Sequence, residues 1–231
     1  ADRCHEAGVR CYLMMPRIFR KEAEQYFRKQ MELLTSAGFD ALGIGSMEEP
    51  GFLREAGIEL PMYFDQGMYS WNHLAGAAME RYGADRLTIP VELNEREIRD
   101  SGVQGEMIVY GYLPMMISAQ CIRKTTLGCS GKLEVMWLKD RKDMRFPVVN
   151  QCRFCYNTIY NSAPLSLLGL SEQVTGLKPN AVRLNFTVEE PAAAGEILDA
   201  FFEEYGMSEK AAEPPVLRNQ FTRGHFKRGV E

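Results

Sequence analysis

The sequence predicts an α/β protein in which the second half of a (β/α) barrel-like sheet, or an open α/β sheet, precedes a cysteine-containing α+β subdomain. Three observations carry this expectation. Short β-branched or apolar runs alternate with amphipathic stretches over the first hundred residues, the pattern of parallel strands joined by crossover helices. Glycines close the helical stretches. Near Leu113 the rhythm stops, ahead of the closely spaced Cys121, Cys129, Cys152 and Cys155.

Taken in order, Val9 to Met15 reads as a strand with no helix before it, and Lys21 to Ala37 as a helix with Ala23, Phe27, Met31 and Leu34 on one face. Ala41 to Ile44 is a second strand and Pro50 to Ala56 a short helix. Leu60 to Phe64 is a third strand, and Trp71 to Tyr82 a helix closed by Gly83. Arg86 to Ile89 makes a fourth strand, Asn94 caps a brief helix through Arg99, and Met107 to Tyr110 is a fifth strand of the series. Ligands of such sheets collect at the carboxyl ends of the strands, here near Pro16, Gly45, Asp65, Pro90 and Gly111. A methionine-rich turn from Leu113 then leads to strands at Leu133 to Leu138 and Phe146 to Val149, and a segment from Ser162 to Leu170. Strand Ala181 to Val188 and helix Ala192 to Tyr205 follow, and Pro214-Pro215 opens a basic tail. The divisions this implies are 1–112 (βα repeats, half of a barrel), 113–180 (cysteine-rich, metal-binding) and 181–231 (strand, helix and tail).

The chain has 231 residues, 45% of them hydrophobic, enough for a substantial core. With 27 basic against 31 acidic side chains the net charge is −4, which gives no global attraction to a phosphate backbone or an anionic membrane. Any nucleic-acid contact is therefore local. No run of about eighteen apolar residues and no basic-then-apolar leader is present, so the chain reads as soluble and cytoplasmic, with no membrane partner. It opens on Ala1 almost directly before a strand, which suggests a piece of something longer.

Cysteines without an export signal point away from disulfides, because reducing compartments keep thiols free. Cys152 and Cys155 form a Cys-x-x-Cys pair, whose single tight turn aims both sulfurs at one ion or at adjacent corners of a cluster. Cys121 and Cys129 form a looser pair, and the stretch between the pairs has the length of a hairpin. A four-thiolate site suits structural zinc or an iron-sulfur cluster. Spacing does not choose the metal, although the long gap from Cys121 to Cys129 is irregular for a zinc ribbon and tilts towards iron and sulfur. The alternative is a set of buried free thiols, or a redox dithiol at Cys152 and Cys155. Cys4 and Cys11 read as packing residues.

The segment Glu106-Met-Ile-Val-Tyr-Gly111-Tyr-Leu-Pro-Met-Met-Ile-Ser-Ala-Gln-Cys121 resembles the signature of the collagenase-like peptidase family U-32, a glutamate five residues before a glycine and then a cysteine cluster. Asp65 to Asn72 (DQGMYSWN), Val91 to Ile98 (VELNEREI), Leu138 to Pro147 (LKDRKDMRFP) and Gly224 to Val230 (GHFKRGV) resemble its longer members. The resemblance implies a barrel-like catalytic region whose first half precedes this chain. It also implies an iron-sulfur protein, with a four-iron four-sulfur cluster as the expected form and zinc as the alternative. Members with a clear role hydroxylate a base in ribosomal or transfer RNA, or support hydroxylation in ubiquinone synthesis. Others carry only the peptidase label. Shorter members have a cysteine where Pro114 stands here, and their last two cysteines lie farther apart, which puts Cys129 and Cys155 in doubt as ligands.

With only His5, His73 and His225 available, no Ser-His-Asp or Cys-His triad emerges, nor a His-Glu-x-x-His helix. Asp65, at a strand end, is a candidate base or hydroxyl-binding group, or a helix cap. Glu92 is its candidate catalytic partner, or a first-turn glutamate favoured by a helix dipole. Asn72 and His73 are candidate substrate contacts at the start of a helix. Arg141 and Arg145 either bind an anionic substrate, neutralise a cluster or sit on a solvated loop. Arg218, Arg223, Lys227 and Arg228, interleaved with Phe221, His225 and Phe226, suit stacking and phosphate contact or form an ordinary surface.

Three functions follow as expectations. One is an RNA-modifying iron-sulfur enzyme whose barrel mouth binds a small carboxylate co-substrate and an RNA base. Another is a collagenase-like peptidase, as the family label says. The third is a non-catalytic module stapled by zinc.

Overall fold

The computed structural model describes residues 1–206 and 220–229, so Pro214, Pro215, Arg218 and Val230 lie outside the described residues. The chain forms two compact units, one of Ala1–Pro90 with Ser101–Gly105, the other of Val91–Asp100 with Glu106–Glu231.

The first unit is α/β. Helix α1 (Asp2–Glu6) precedes strand β1 (Tyr12–Met14), a correction to the expectation that no helix stands there. With five residues, none buried, it carries no periodic apolar face by which sequence would reveal it. The expected helix from Lys21 to Ala37 is two, α2 (Lys21–Lys29) and α3 (Met31–Ser36). The break is at Gln30, whose N–H bonds the Phe27 carbonyl three residues back. Strand β2 (Ala41–Ile44), helix α4 (Glu48–Glu55), strand β3 (Met62–Phe64), a short 3₁₀ turn (Gln66–Met68), helix α5 (His73–Tyr82) and strand β4 (Ala84–Leu87) complete the unit. All four strands run parallel in the order β1-β2-β3-β4. Every residue of β2 is buried, as expected of a parallel strand covered on both faces. Leu42, Ile44, Leu53 and Phe64 form the core. The sheet is open, without barrel closure among the described residues.

Helix α6 (Glu95–Ser101) belongs to the second unit as far as Asp100. Asn94 Oδ1 accepts from Glu97 N–H at 2.9 Å while Asn94 N–H donates to Glu97 Oε2 at 2.8 Å, a reciprocal cap that satisfies two otherwise orphaned donors. Strand β5 (Glu106–Gly111) was expected to continue the βα series. It lies instead in a separate sheet, between β10 (Leu165–Ser166) and β11 (Ala181–Asn185). Gly111 has φ +146°, and a Cβ there would stand 2.5 Å from the Asn185 carbonyl oxygen, so only glycine fits where β5 meets β11.

An antiparallel sheet of order β6-β9-β8-β7 follows, from β6 (Pro114–Ser118), β7 (Glu134–Lys139), β8 (Arg145–Gln151) and β9 (Tyr156–Tyr160). The expected methionine-rich turn is thus strand β6. Its Pro114 sits at the first position of an edge strand, where a missing N–H costs no ladder bond. Strand β9 escapes periodicity because Tyr156, Asn157 and Thr158 are buried in succession. Helix α7 (Ile122–Thr126) lies between β6 and β7, and α8 (Ser171–Gly176) and α9 (Pro191–Glu204) flank β11 in sequence. Val109, Val148, Leu168 and Val174 are fully buried here. Among the described residues no helix is long and apolar enough to cross a membrane.

Candidate metal centre

The strand order of the antiparallel sheet explains how distant cysteines meet. Because neighbours alternate in direction, the end of β6, the start of β9, the end of β8 and the start of β7 all lie at one edge. Cys121 follows β6. Cys152 and Cys155 form the turn between β8 and β9, and Cys129 lies in the loop before β7. All four line one cavity of about 400 Å³.

Local geometry fixes each thiol. Cys155 takes a left-handed φ of 52°, which lets the Cys-x-x-Cys turn close within four residues. Cys121 caps α7, its Sγ accepting from the Lys124 N–H at 3.4 Å. Arg123 pins the loop that carries Cys129, donating to the Gly128 carbonyl at 2.9 Å and pairing with Glu134 of β7 at 3.0 Å. Burial pushes the Cys152 thiol up, opposed by a hydrogen bond from Ser130, while the nearby Cys129 and Cys121 push it further up. Thiolates here repel one another, a repulsion that a soft cation relieves.

The donor set fits a thiophilic group. All four thiols line the same cavity, although among the described residues no three His, Cys, Asp or Glu side chains are grouped as a ready-made site for a metal ion. A water occupies roughly 30 Å³ of liquid; the cavity has room for a multi-atom group. Lys124 and the buried Asn150 line it as well, and neither stands out in sequence. Their signal was positional: Lys124 lies three residues past Cys121, and Asn150 two before Cys152.

Neither Arg141 nor Arg145 lines the cavity. Both are exposed at the β7–β8 hairpin, whose turn is held by Asp140 Oδ1 accepting from Lys142 N–H and Met144 N–H. Asp65 follows β3 and is buried, with Arg17 Nη1 donating to its Oδ2 at 2.9 Å. Asn72 caps α5, its Oδ1 accepting from Ala75 N–H at 3.0 Å, and His73 is the exposed first residue of that helix. Glu92 is half-buried in the turn before α6 and belongs to the second unit, whereas Asp65 belongs to the first.

Two residues at the carboxyl edge of the parallel sheet were missed. Arg17, after β1, carried no motif. Glu49, fully buried after β2, accepts from Gly45 N–H at 2.7 Å and from Ser46 N–H at 3.3 Å through Oε2. Burial pushes its pKa up to about 8 against those two backbone hydrogen bonds and a further interaction from the Ser46 hydroxyl. The Ser46-x-x-Glu49 spacing, a capping-box signature, was the available signal.

In the tail, Phe226 is buried and Arg223 Nη1 donates to the Ser166 and Leu168 carbonyls. Those two side chains pack the second unit; Lys227 and Arg228 are exposed.

Comparison with curated proteins and with solved structures gives no significant match. A family model does match, over residues 1–196, and that span includes both the parallel sheet and all four cysteines of the cavity. The chain belongs to peptidase family U32.

Proposed function

We propose that the chain is part of an iron-sulfur enzyme of the type that hydroxylates a base in ribosomal or transfer RNA. The observation that carries this reading is the cavity of about 400 Å³ lined by Cys121, Cys129, Cys152 and Cys155, which offers four soft ligands around space for a cluster. These residues would hold a four-iron four-sulfur group, which supplies electron transfer when bound. Lys124 places a positive charge at the cavity wall, where it offsets the charge of four thiolates. The strand ends that carry Arg17, Glu49 and Asp65 are the place for a small carboxylate co-substrate and the base, because ligands of parallel sheets bind at that edge. Asp65, oriented by its ion pair with Arg17, is the candidate base there.

The test is made in cells. Ribosomal and transfer RNA from a strain lacking the gene is digested to nucleosides and compared by mass spectrometry with RNA from the parent strain. A nucleoside 16 mass units lighter in the deletion strain, restored by the wild-type gene and not by Cys121→Ser, is the expected result. Identical nucleoside profiles would overturn the reading.

A further inference from the structure

A second cavity, of about 340 Å³, lies elsewhere in the second unit and has a different chemistry. Four aromatic side chains line it: Tyr110 near the end of β5, Tyr112 just beyond, Trp137 of β7 and Phe221 of the tail. Glu189, Glu190 and Glu196 add carboxylates, and no lysine or arginine lines it among the described residues.

Each wall has a structural reason to be there. Tyr110 is 3% exposed and packs against Phe186 with ring centroids 5.7 Å apart and planes tilted by 47°, which fixes its ring. On β7 exposed and half-buried positions alternate, which leaves Trp137 56% exposed. Phe221 is backed by Arg223, whose guanidinium lies 4.7 Å from the ring centroid and is anchored on the Ser166 and Leu168 carbonyls. That cation is therefore committed to the fold. Glu189 is held in place through Oε2, which accepts from Thr187 N–H at 2.6 Å and Val188 N–H at 3.0 Å. Its Oε1 atom is buried, and the Tyr110 hydroxyl lies close enough to interact with the carboxylate.

Aromatic faces are negative at the ring centre, and beside a carboxylate they stabilise a positive charge while excluding water from it. An uncharged apolar ligand gains from the rings but leaves the half-buried Glu189 carboxylate without a counter-charge. An anion is repelled by both. We propose that this cavity is a binding site for an organic cation, an alkylated or primary ammonium group, with Tyr110, Tyr112, Trp137 and Phe221 as the cage and Glu189 as its counter-charge. The site is separate from the cysteine cavity and does not depend on the function proposed above.

The full chain carrying Trp71→Phe reports on the site directly, since Trp137 is then its only tryptophan. Trp137 emission is followed while choline is added, and in parallel with 3,3-dimethylbutanol, which has the same shape without the charge. Choline should give a saturable change at least about tenfold tighter than the alcohol. Glu189→Gln retains an oxygen for the Thr187 and Val188 amides and should weaken choline about fivefold or more while leaving the alcohol unchanged. The surface variant Glu196→Gln, which cannot disturb the core, should weaken choline in the same direction. N-acetyl-lysine amide in a competing arm separates a basic peptide side chain, which displaces choline at lower concentration, from a free alkylammonium, which does not yield to it. Equal responses to choline and the alcohol, or no saturation with either, would overturn the proposal.

Discussion

Glu49 shows at the scale of one residue what sequence hides. Its position in Ser46-x-x-Glu49 suggests an exposed capping glutamate, yet the chain buries it completely, and its pKa rises to about 8 from 4.5. The sign of the consequence follows from proton counting. Between those two values the folded state holds a proton that the unfolded state has released, so stability falls as pH rises through that window. At about 1.4 kcal/mol per unit, the loss is at most about 5 kcal/mol once the group is ionised in both states. Thermal unfolding from about pH 4.5 to about pH 8 should show this decline, and Glu49→Gln should flatten it. An unchanged slope in the variant would assign the decline to other groups. The cysteines were legible because residue type and spacing announce thiolate chemistry. Arg17 was not, because its partner Asp65 lies 48 positions away and no local pattern links them.

Elements were legible where periodicity is strong and local. Strand β2 appears at its expected limits and Asn94 caps the helix it was expected to cap, whereas Asn72, expected as a substrate contact, is the cap of α5. The misses have one cause, that tertiary pairing decides what short segments become. Strand β6 looked like a turn because Pro114 and two methionines mask it, and β9 lacks alternation because its first three residues are buried together. Gly111 illustrates the same dependence. The resemblance singled it out, but only the pairing of β5 with β11 explains it. Gly111→Ala should cost about 2–4 kcal/mol in chemical denaturation, from the clash with Asn185 and the φ of +146°. Gly206→Ala, also at positive φ but with no close neighbour among the described residues, should cost about 1 kcal/mol. Equal costs would mean that the close approach of the two strands contributes nothing.

For the whole molecule, the α/β class was readable from the alternation of strands and helices, whereas the assignment of β5 to a second sheet was not. Sequence cannot distinguish a strand that extends a sheet from one that starts another, because both bury the same apolar run. The cysteine site shows the converse. Its members are spread over 35 residues, from Cys121 to Cys155, and the alternating strand order of one sheet gathers them at a single edge. The function proposed above requires this edge to hold an iron-sulfur cluster. The most direct measurement is iron and acid-labile sulfide per chain after anaerobic reconstitution, for the wild type beside Cys121→Ser, which retains the α7 cap acceptor but loses a soft ligand. About four of each per wild-type chain, with brown charge-transfer absorption and loss of most of both in the variant, is the predicted result. A colourless protein holding about one zinc and no iron would contradict it.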